Sequence, residues 1–372
     1  MTGGTTLTGG ARRTGDRTSD SPAVSVVMPA YNHEKFIIPA VESVRDQSFK
    51  NWELLIVDDG STDETGSKAD GLSGGPIRVF HQENSGTASA LNRGLAEARG
   101  QYIAILNSDD AYHPKRFERL IEAMNGNPGA LLALSTVRLI DGQGEQIVAG
   151  REVKWLAAAR EFYRNSGNFF LSVLRDNFTC TSSNFLFRRE LLDRIGPFRD
   201  FRYANDLDFL FRALSIAPPV FADEELLSYR IHEANTLRER KRKRKKEFLL
   251  ELAWIVAVQL EKRRIYEIAA PRDIFAVLDA TYGLRMEAIL FCLMELRRNN
   301  GNAEILFTDR EMRADCLRVI DRTLERNRFI SNLHAGGRKL LSDNKKLLNE
   351  NKKIFELLQK RDGECLLLSE KA

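Results

Sequence analysis

Tyr102-Ile103-Ala104-Ile105-Leu106-Asn107-Ser108-Asp109-Asp110 is an apolar run of strand length that stops abruptly on two adjacent carboxylates. In open α/β sheets, ligands gather beyond the carboxyl ends of the strands, so acids at such an end are placed to hold a hard cation or a nucleotide. Capping the next helix, or solvating a loop, is the alternative use of the same pair. Two more runs share the pattern. Val24-Ser25-Val26-Val27-Met28 leads into Pro29-Ala30-Tyr31-Asn32, and Trp52-Glu53-Leu54-Leu55-Ile56-Val57 leads into Asp58-Asp59-Gly60-Ser61-Thr62-Asp63. Helices are predicted between the strands, from Phe36 to Val44 and from Thr87 to Ala98, the second closed by Gly100. Strands alternating with helices give right-handed crossovers and a largely parallel sheet, with three polar tips along one edge.

Together with Asn84-Ser85-Gly86, Leu91-Asn92-Arg93-Gly94, Gly196-Pro197-Phe198 and Asn205-Asp206-Leu207-Asp208, these runs resemble the family 2 glycosyltransferases over about residues 23 to 236. Those are inverting nucleotide-sugar enzymes. The resemblance implies an α/β fold of GT-A type, with a nucleotide-sugar-binding, Rossmann-like and mostly parallel sheet. It implies that Tyr31 and Asp59 hold the nucleotide base while Asp58 shapes the turn. A carboxylate accepts the imino proton of a uracil or thymine ring, and an aromatic wall covers its face. Pro29, Asn32, Asn84, Gly86, Asn92 and Ser108 are implied at the same nucleotide sugar. N-capping by Asp58 and Asp59, and ordinary packing of Tyr31, are the plainer uses of those residues.

The family's metal motif is usually Asp-x-Asp, and here Asn107 stands where the first Asp is expected. An amide still reaches a ribose hydroxyl or a metal-bound water, and Asp109 and Asp110 remain for Mn or Mg. Arg230 and His232, in Ser228-Tyr229-Arg230-Ile231-His232, resemble a loop beside the donor diphosphate, with His232 a third candidate metal ligand. Asp206 matches the family's general base, with Asn205 in place of a Glu. First-turn acids favoured by a helix dipole are the plain alternative for Asp206 and Asp208. His33, His81, His113 and His334 receive no role.

The implied reaction is a single in-line displacement with inversion. A sugar leaves a nucleotide-diphosphate donor for a saccharide or lipid-linked acceptor hydroxyl, in polysaccharide or glycoconjugate biosynthesis. Asn107 and Asn205 motivate a second reading, a catalytically inactive nucleotide-sugar-binding or scaffold protein. A nucleotidyltransferase would want a Gly-rich phosphate loop, which Pro29-Ala30-Tyr31-Asn32 does not supply.

At 372 residues the chain suits a catalytic unit with an appendage, and a net charge of +4 does not by itself imply nucleic acid. Residues 1–22 are too polar to bury a core and read as a disordered tail. No secretory signal or spanning segment is evident, and the 4 scattered cysteines suggest reduced thiols in the cytoplasm. A catalytic domain over 23–236 is followed by a basic linker, 237–247. Its Arg238–Lys246 run reads first as a solvated face, then as a peripheral contact with an anionic inner membrane surface or acidic partner, and last as nucleic-acid binding. A helical domain is predicted over 248–330, with Pro271 starting one helix. In 331–372, Leu340, Asn344, Leu347, Asn351, Ile354 and Leu358 form a coiled-coil stripe within 338–361 that would make a homo-oligomer. Packing on its own protein is the alternative for that stripe.

Overall fold

The computed structural model describes residues 21–232, 242–262, 286–322 and 325. Strands β1 (Val24–Ala30), β2 (Trp52–Asp58), β3 (Ile77–His81) and β4 (Tyr102–Ile105) alternate with helices α1 (Ile37–Arg45), α2 (Thr65–Leu72) and α3 (Thr87–Glu97). Then come β5 (Ala111–Tyr112), α4 (Arg116–Asn125), β6 (Leu132–Ile140), α5 (Arg151–Ser166), α6 (Phe169–Arg175), β7 (Leu186–Arg188), α7 (Glu190–Ile195), α8 (Asn205–Leu214) and β8 (Val220–Arg230). The strands form one sheet in the order β3-β2-β1-β4-β7-β6-β8-β5. β1 is parallel to β2 and β4, β2 to β3, and β6 to β8. β7 runs antiparallel between β4 and β6, and β5 antiparallel to β8. The sheet is therefore mixed, with its first four strands a continuous parallel block.

Every residue of β1 and β2 is buried. Strands covered on both faces carry near-continuous apolar runs rather than alternating ones, as in Val26–Met28 and Leu54–Val57. β1, β2 and β4 are adjacent and parallel, so the predicted polar tips after them do share one end of the sheet. Pro29 is tolerated inside β1 because pairing with β4 stops at Val27, two residues earlier. Helix α3 approaches β1 closely because Gly94 has no Cβ; one placed there would overlap Val27 Cγ1.

The stretch expected as a loop at Ser228–His232 is largely strand, and a second stretch is helical. Ser228, Tyr229 and Arg230 end β8, paired with Arg138, Leu139 and Ile140. Asn165 to Thr181 contains the end of α5 and all of α6; Gly167 at φ 60° ends the first helix and the Asn168 side chain caps the second through Leu171 N.

Beyond the sheet, α9 (Arg242–Glu261) begins within the basic run, ahead of the expected start at 248, and is followed by helices Met286–Arg298 and Ile305–Thr308. Compactness divides the chain into residues 1–308 and 309–372, so these three helices belong with the sheet. The helical region thus adjoins the catalytic fold instead of standing apart from 248 to 330. In the second unit a helix spans 310–322, with Met312, Cys316 and Ile320 buried along one face. The tail at 1–20, the first part of the basic run, Pro271 and the coiled-coil stripe lie outside the described residues. Among the described residues no helix is long and apolar enough to cross a membrane.

Overpacking a tight core contact costs about 1 to 3 kcal/mol, so Gly94→Ala should lower the unfolding free energy by that order in a denaturant melt. Gly71→Ala is the control. Its new Cβ would meet nothing within 4 Å, so the exchange should be neutral or slightly stabilising.

Candidate active site

The loops after β1 and β2 are sewn together at the sheet end. Asn32 adopts φ 53° and its Oδ1 accepts Thr62 N at 2.8 Å, while Asn32 N donates to Ser61 Oγ at 3.1 Å. His33 N donates to Thr65 Oγ1 at 2.7 Å. Asp58 accepts Ser61 N at 3.1 Å and lies 3.0 Å from His81 Nδ1, whose pKa is raised by its bonds to Asp58 and Asp70. Asp58 therefore shapes the turn. Asp59 accepts Gln82 Nε2 at 2.8 Å and Ser85 N at 2.9 Å on one oxygen, and Gly86 N at 2.8 Å on the other. It fixes the Asn84-Ser85-Gly86 turn that opens α3, and Tyr31 stands beside this region 44% exposed.

The two acids after β4 have opposite surroundings. Asp110 is fully buried, accepting Ser183 Oγ at 2.5 Å and Thr181 Oγ1 at 3.4 Å on one oxygen and Arg230 N at 3.0 Å on the other. Burial and the charge of Asp109 push its pKa well above the usual carboxylate range, against the pull of those bonds. Burial also works against charge on Asp109, but a hydrogen bond with His232 and the electrostatic influence of His33 and His232 hold it below that range. Asp109 Oδ2 lies 3.0 Å from His232 Nε2 and 3.9 Å from His33 Nε2. Ligand atoms of His33, Asp109 and His232 all fall within 4.8 Å of one another, which suits a metal ion. Asp110 is not part of that group.

The imidazoles are held from behind. His33 Nδ1 lies 2.8 Å from Ser108 Oγ, and the Phe36 ring packs at 4.7 Å from His232. Arg230 stacks over Phe36 at 5.0 Å. Its Nε donates to Asp109 O at 2.8 Å and its Nη1 to Asp141 O at 2.9 Å. Asn107 bridges to the next segment, donating from Nδ2 to Thr181 Oγ1 at 2.9 Å, while Ser182 Oγ donates to its Oδ1 at 3.3 Å.

Asp206 stands in the first turn of α8, half-buried, with Leu207 N donating to its Oδ1 at 2.7 Å. Burial raises its pKa to about 6. Asp208, one turn face away, is buried between Arg212 at 2.7 Å and Arg199 at 3.3 Å and serves the fold. Leu207, Leu210, Phe211 and Leu214 of the same helix are all buried. Tyr229 lies within electrostatic reach of Asp109, Asp110 and Asp206 together, and all three raise its pKa along with burial.

Residues 25–196 match the model of Glycosyl transferase family 2. Over those residues the chain is similar to family 2 glycosyltransferases. An "Uncharacterized glycosyltransferase" of Rickettsia typhi is 30% identical over 221 residues, covering 58% of this chain and 66% of that protein. The "Putative glycosyltransferase EpsH" of Bacillus subtilis is 27% identical over 269 residues, covering 70% of this chain and 76% of its own length. The match spans just under two thirds of the Rickettsia relative's length. Among solved structures, S. aureus TarS with UDP-GlcNAc superposes with a TM-score of 0.52 at 18% identity, over 81% of this chain and 80% of that one. The mannosyltransferase PcManGT from Pyrobaculum calidifontis, in complex with GDP-Man and Mn2+, gives 0.50 at 17%, over 82% and 87%. At such identities the likeness is one of fold, and the fold is the GT-A type.

Several expected residues have other work. The Asn92 amide bonds at both ends to Phe198, donating to its O at 2.8 Å and accepting from its N at 2.9 Å, so it clasps α3 to the Gly196-Pro197-Phe198 turn. Arg230 anchors carbonyls of the Asp109 turn and of Asp141. Pro29 is buried inside β1. His33 is the residue missed from sequence, although its place just past β1, on the same sheet end as Asp109, was a usable signal. Thr181 and Ser183 carried no motif and could not be found that way.

Removing one imidazole or carboxylate from a three-ligand set should weaken Mn binding about tenfold or more, as loss of close partners around metal sites does. In calorimetric titrations His33→Ala, Asp109→Ala and His232→Ala are expected to show that loss. Asp110→Asn should bind Mn about as the parent does and fold with nearly unchanged stability, because an amide can replace a carboxyl already biased toward its neutral form.

Proposed function

We propose that this domain is an inverting glycosyltransferase that moves a sugar from a nucleotide-diphosphate donor to an acceptor hydroxyl in one in-line displacement. The observation that carries this reading is the metal-capable group of His33, Asp109 and His232 at the sheet end, together with a half-buried Asp206 raised to about 6. A base near neutrality is both largely ionised at pH 7 and willing to take a proton.

Three of the four lone-pair positions of Asp59 are taken by Gln82, Ser85 and Gly86, which leaves one on Oδ2 for the imino N–H of a uracil or similar base. The exposed ring of Tyr31 forms the wall of that subsite. The GDP-Man and UDP-GlcNAc complexes of structurally similar proteins support a nucleotide-sugar donor. His33, Asp109 and His232 would hold the divalent cation, and two imidazoles suit Mn better than Mg, which favours oxygen ligands. When bound, such an ion neutralises diphosphate charge and stabilises the leaving group. An Nδ1–H of His33 donated to Ser108 keeps the Nε2 lone pair turned toward Asp109. Leu207 N occupies Asp206 Oδ1, so Oδ2 receives the proton of the attacking hydroxyl. Attack from the face opposite the diphosphate inverts the anomeric carbon.

A thermal-shift and nucleotide-release panel of UDP-, dTDP- and GDP-sugars, with and without Mn, identifies the donor, since only a ligand of the folded state raises its stability. With that donor, Asp206→Asn should cost about 10² or more in turnover while donor affinity stays near that of the parent. The sign of the pH dependence follows from the base: it works ionised, so kcat/KM should fall about tenfold per unit as pH drops below about 6. An Asp206→Asn variant at parental rate, or a panel with no donor turned over, removes the reading.

A further inference from the structure

Helix α8 carries Asp206 in its first turn, yet its N-cap residue is Ala204, which has no side chain able to cap. The missing acceptor comes from another helix. Glu251 of α9 accepts Arg202 N at 2.9 Å on Oε1, and Tyr203 N at 2.8 Å and Ala204 N at 3.0 Å on Oε2. Three consecutive backbone N–H groups thus converge on one carboxylate, only 2% exposed. Apart from Glu251, the described residues of α9 around it, Leu249, Leu250, Leu252, Ala253, Trp254 and Ile255, are buried and apolar. A carboxylate in such a helix is costly to bury unless it is hydrogen-bonded, and here it meets both the donors and the positive end of the α8 dipole.

We propose that Glu251 is a positioning residue for the base: by gripping Arg202–Ala204 it sets where α8 begins and so where Asp206 meets the acceptor hydroxyl. This rests on Asp206 being the base, as argued above. Asp206 is two residues past the last gripped amide, and Asn205 Nδ2 closes the same turn on Phe201 O at 3.3 Å. The Asp208–Arg212 pair and the buried apolar residues fix the body of α8, and the Glu251 bonds fix its start. A misplacement of about 1 Å at a reacting group costs on the order of 10² in rate, whereas donor binding at the far loops should not feel it.

The test is a double-mutant cycle in the full chain, using the donor found by the panel. Glu251→Gln keeps the volume and one acceptor oxygen and should lower kcat about tenfold; Glu251→Ala should lower it about 10², with donor KM and nucleoside-diphosphate affinity within about twofold of the parent. In the Asp206→Asn background, Glu251→Ala should change the residual rate by less than about threefold, because residues acting through one group are not additive. Equal losses in both backgrounds, an unchanged kcat in folded Glu251→Gln, or a Gln variant that fails to fold would each overturn the positioning role. An Asp206→Asn variant at parental rate would instead remove the base assignment itself, and the role of Glu251 with it.

Discussion

The buried carboxylate of Asp110 is the tie on which the site depends. It joins three segments remote in sequence: the turn after β4, the Thr181–Ser183 segment before β7, and the end of β8 at Arg230. Ser183 Oγ also accepts Asn107 N, so the first and last residues of the Asn107–Asp110 turn are held by the same hydroxyl. Asp109 and His232, each next to or near one of these anchored residues, thereby inherit fixed positions. The arrangement suits a carboxyl whose charge is disfavoured, since two ionised neighbours in a dry site repel strongly: burial and the neighbouring charge bias Asp110 toward its neutral form, while the hydrogen bond with His232 biases Asp109 toward its charged one.

The same division of labour recurs at each strand or helix end that bears two acids. Asp58 turns back to Ser61 and His81 while Asp59 faces Gln82, Ser85 and Gly86. Asp208 is neutralised by Arg199 and Arg212 while Asp206 keeps a raised pKa with no cation against it. Physical cost explains the pattern. Burying a charge is tolerable when it is paired or richly hydrogen-bonded, as Asp208 is between its two arginines and Asp58 is with Ser61 and His81. Burial raises the pKa of Asp206 on the same helix as Asp208.

The parallel half of the sheet was legible because near-continuous apolar strands such as Val24–Met28 and Leu54–Val57, each followed by a polar turn, have few other folded solutions. Asp58, Asp109 and Asp206 were legible for the same reason, as acids standing where strands or an amphipathic helix change character. The antiparallel insertion of β7 was not, since three residues, Leu186–Arg188, carry too little pattern to announce a strand. Asn92 shows the limit of reading roles from motifs: nothing in its motif announces Phe198, 106 positions away, which bonds its amide at both ends. His33 was overlooked because a lone His has no periodicity; only the folded sheet brings it to Asp109. The coiled-coil stripe of 338–361 falls on residues the structure does not describe.

The family match ends at residue 196, whereas Asp206, Arg230, His232 and Glu251 all lie beyond it. The first half of the chain builds one side of the site from the turns after β1, β2 and β4. The second half returns to that site twice, through β8 to the metal-capable group and through α8 to Asp206. α9 then secures the start of α8 through Glu251. A change in α9 therefore bears on the start of α8 while the strand-tip turns keep their own ties through Asp58, Asp59 and Asp110, because the two are fixed by separate sets of hydrogen bonds.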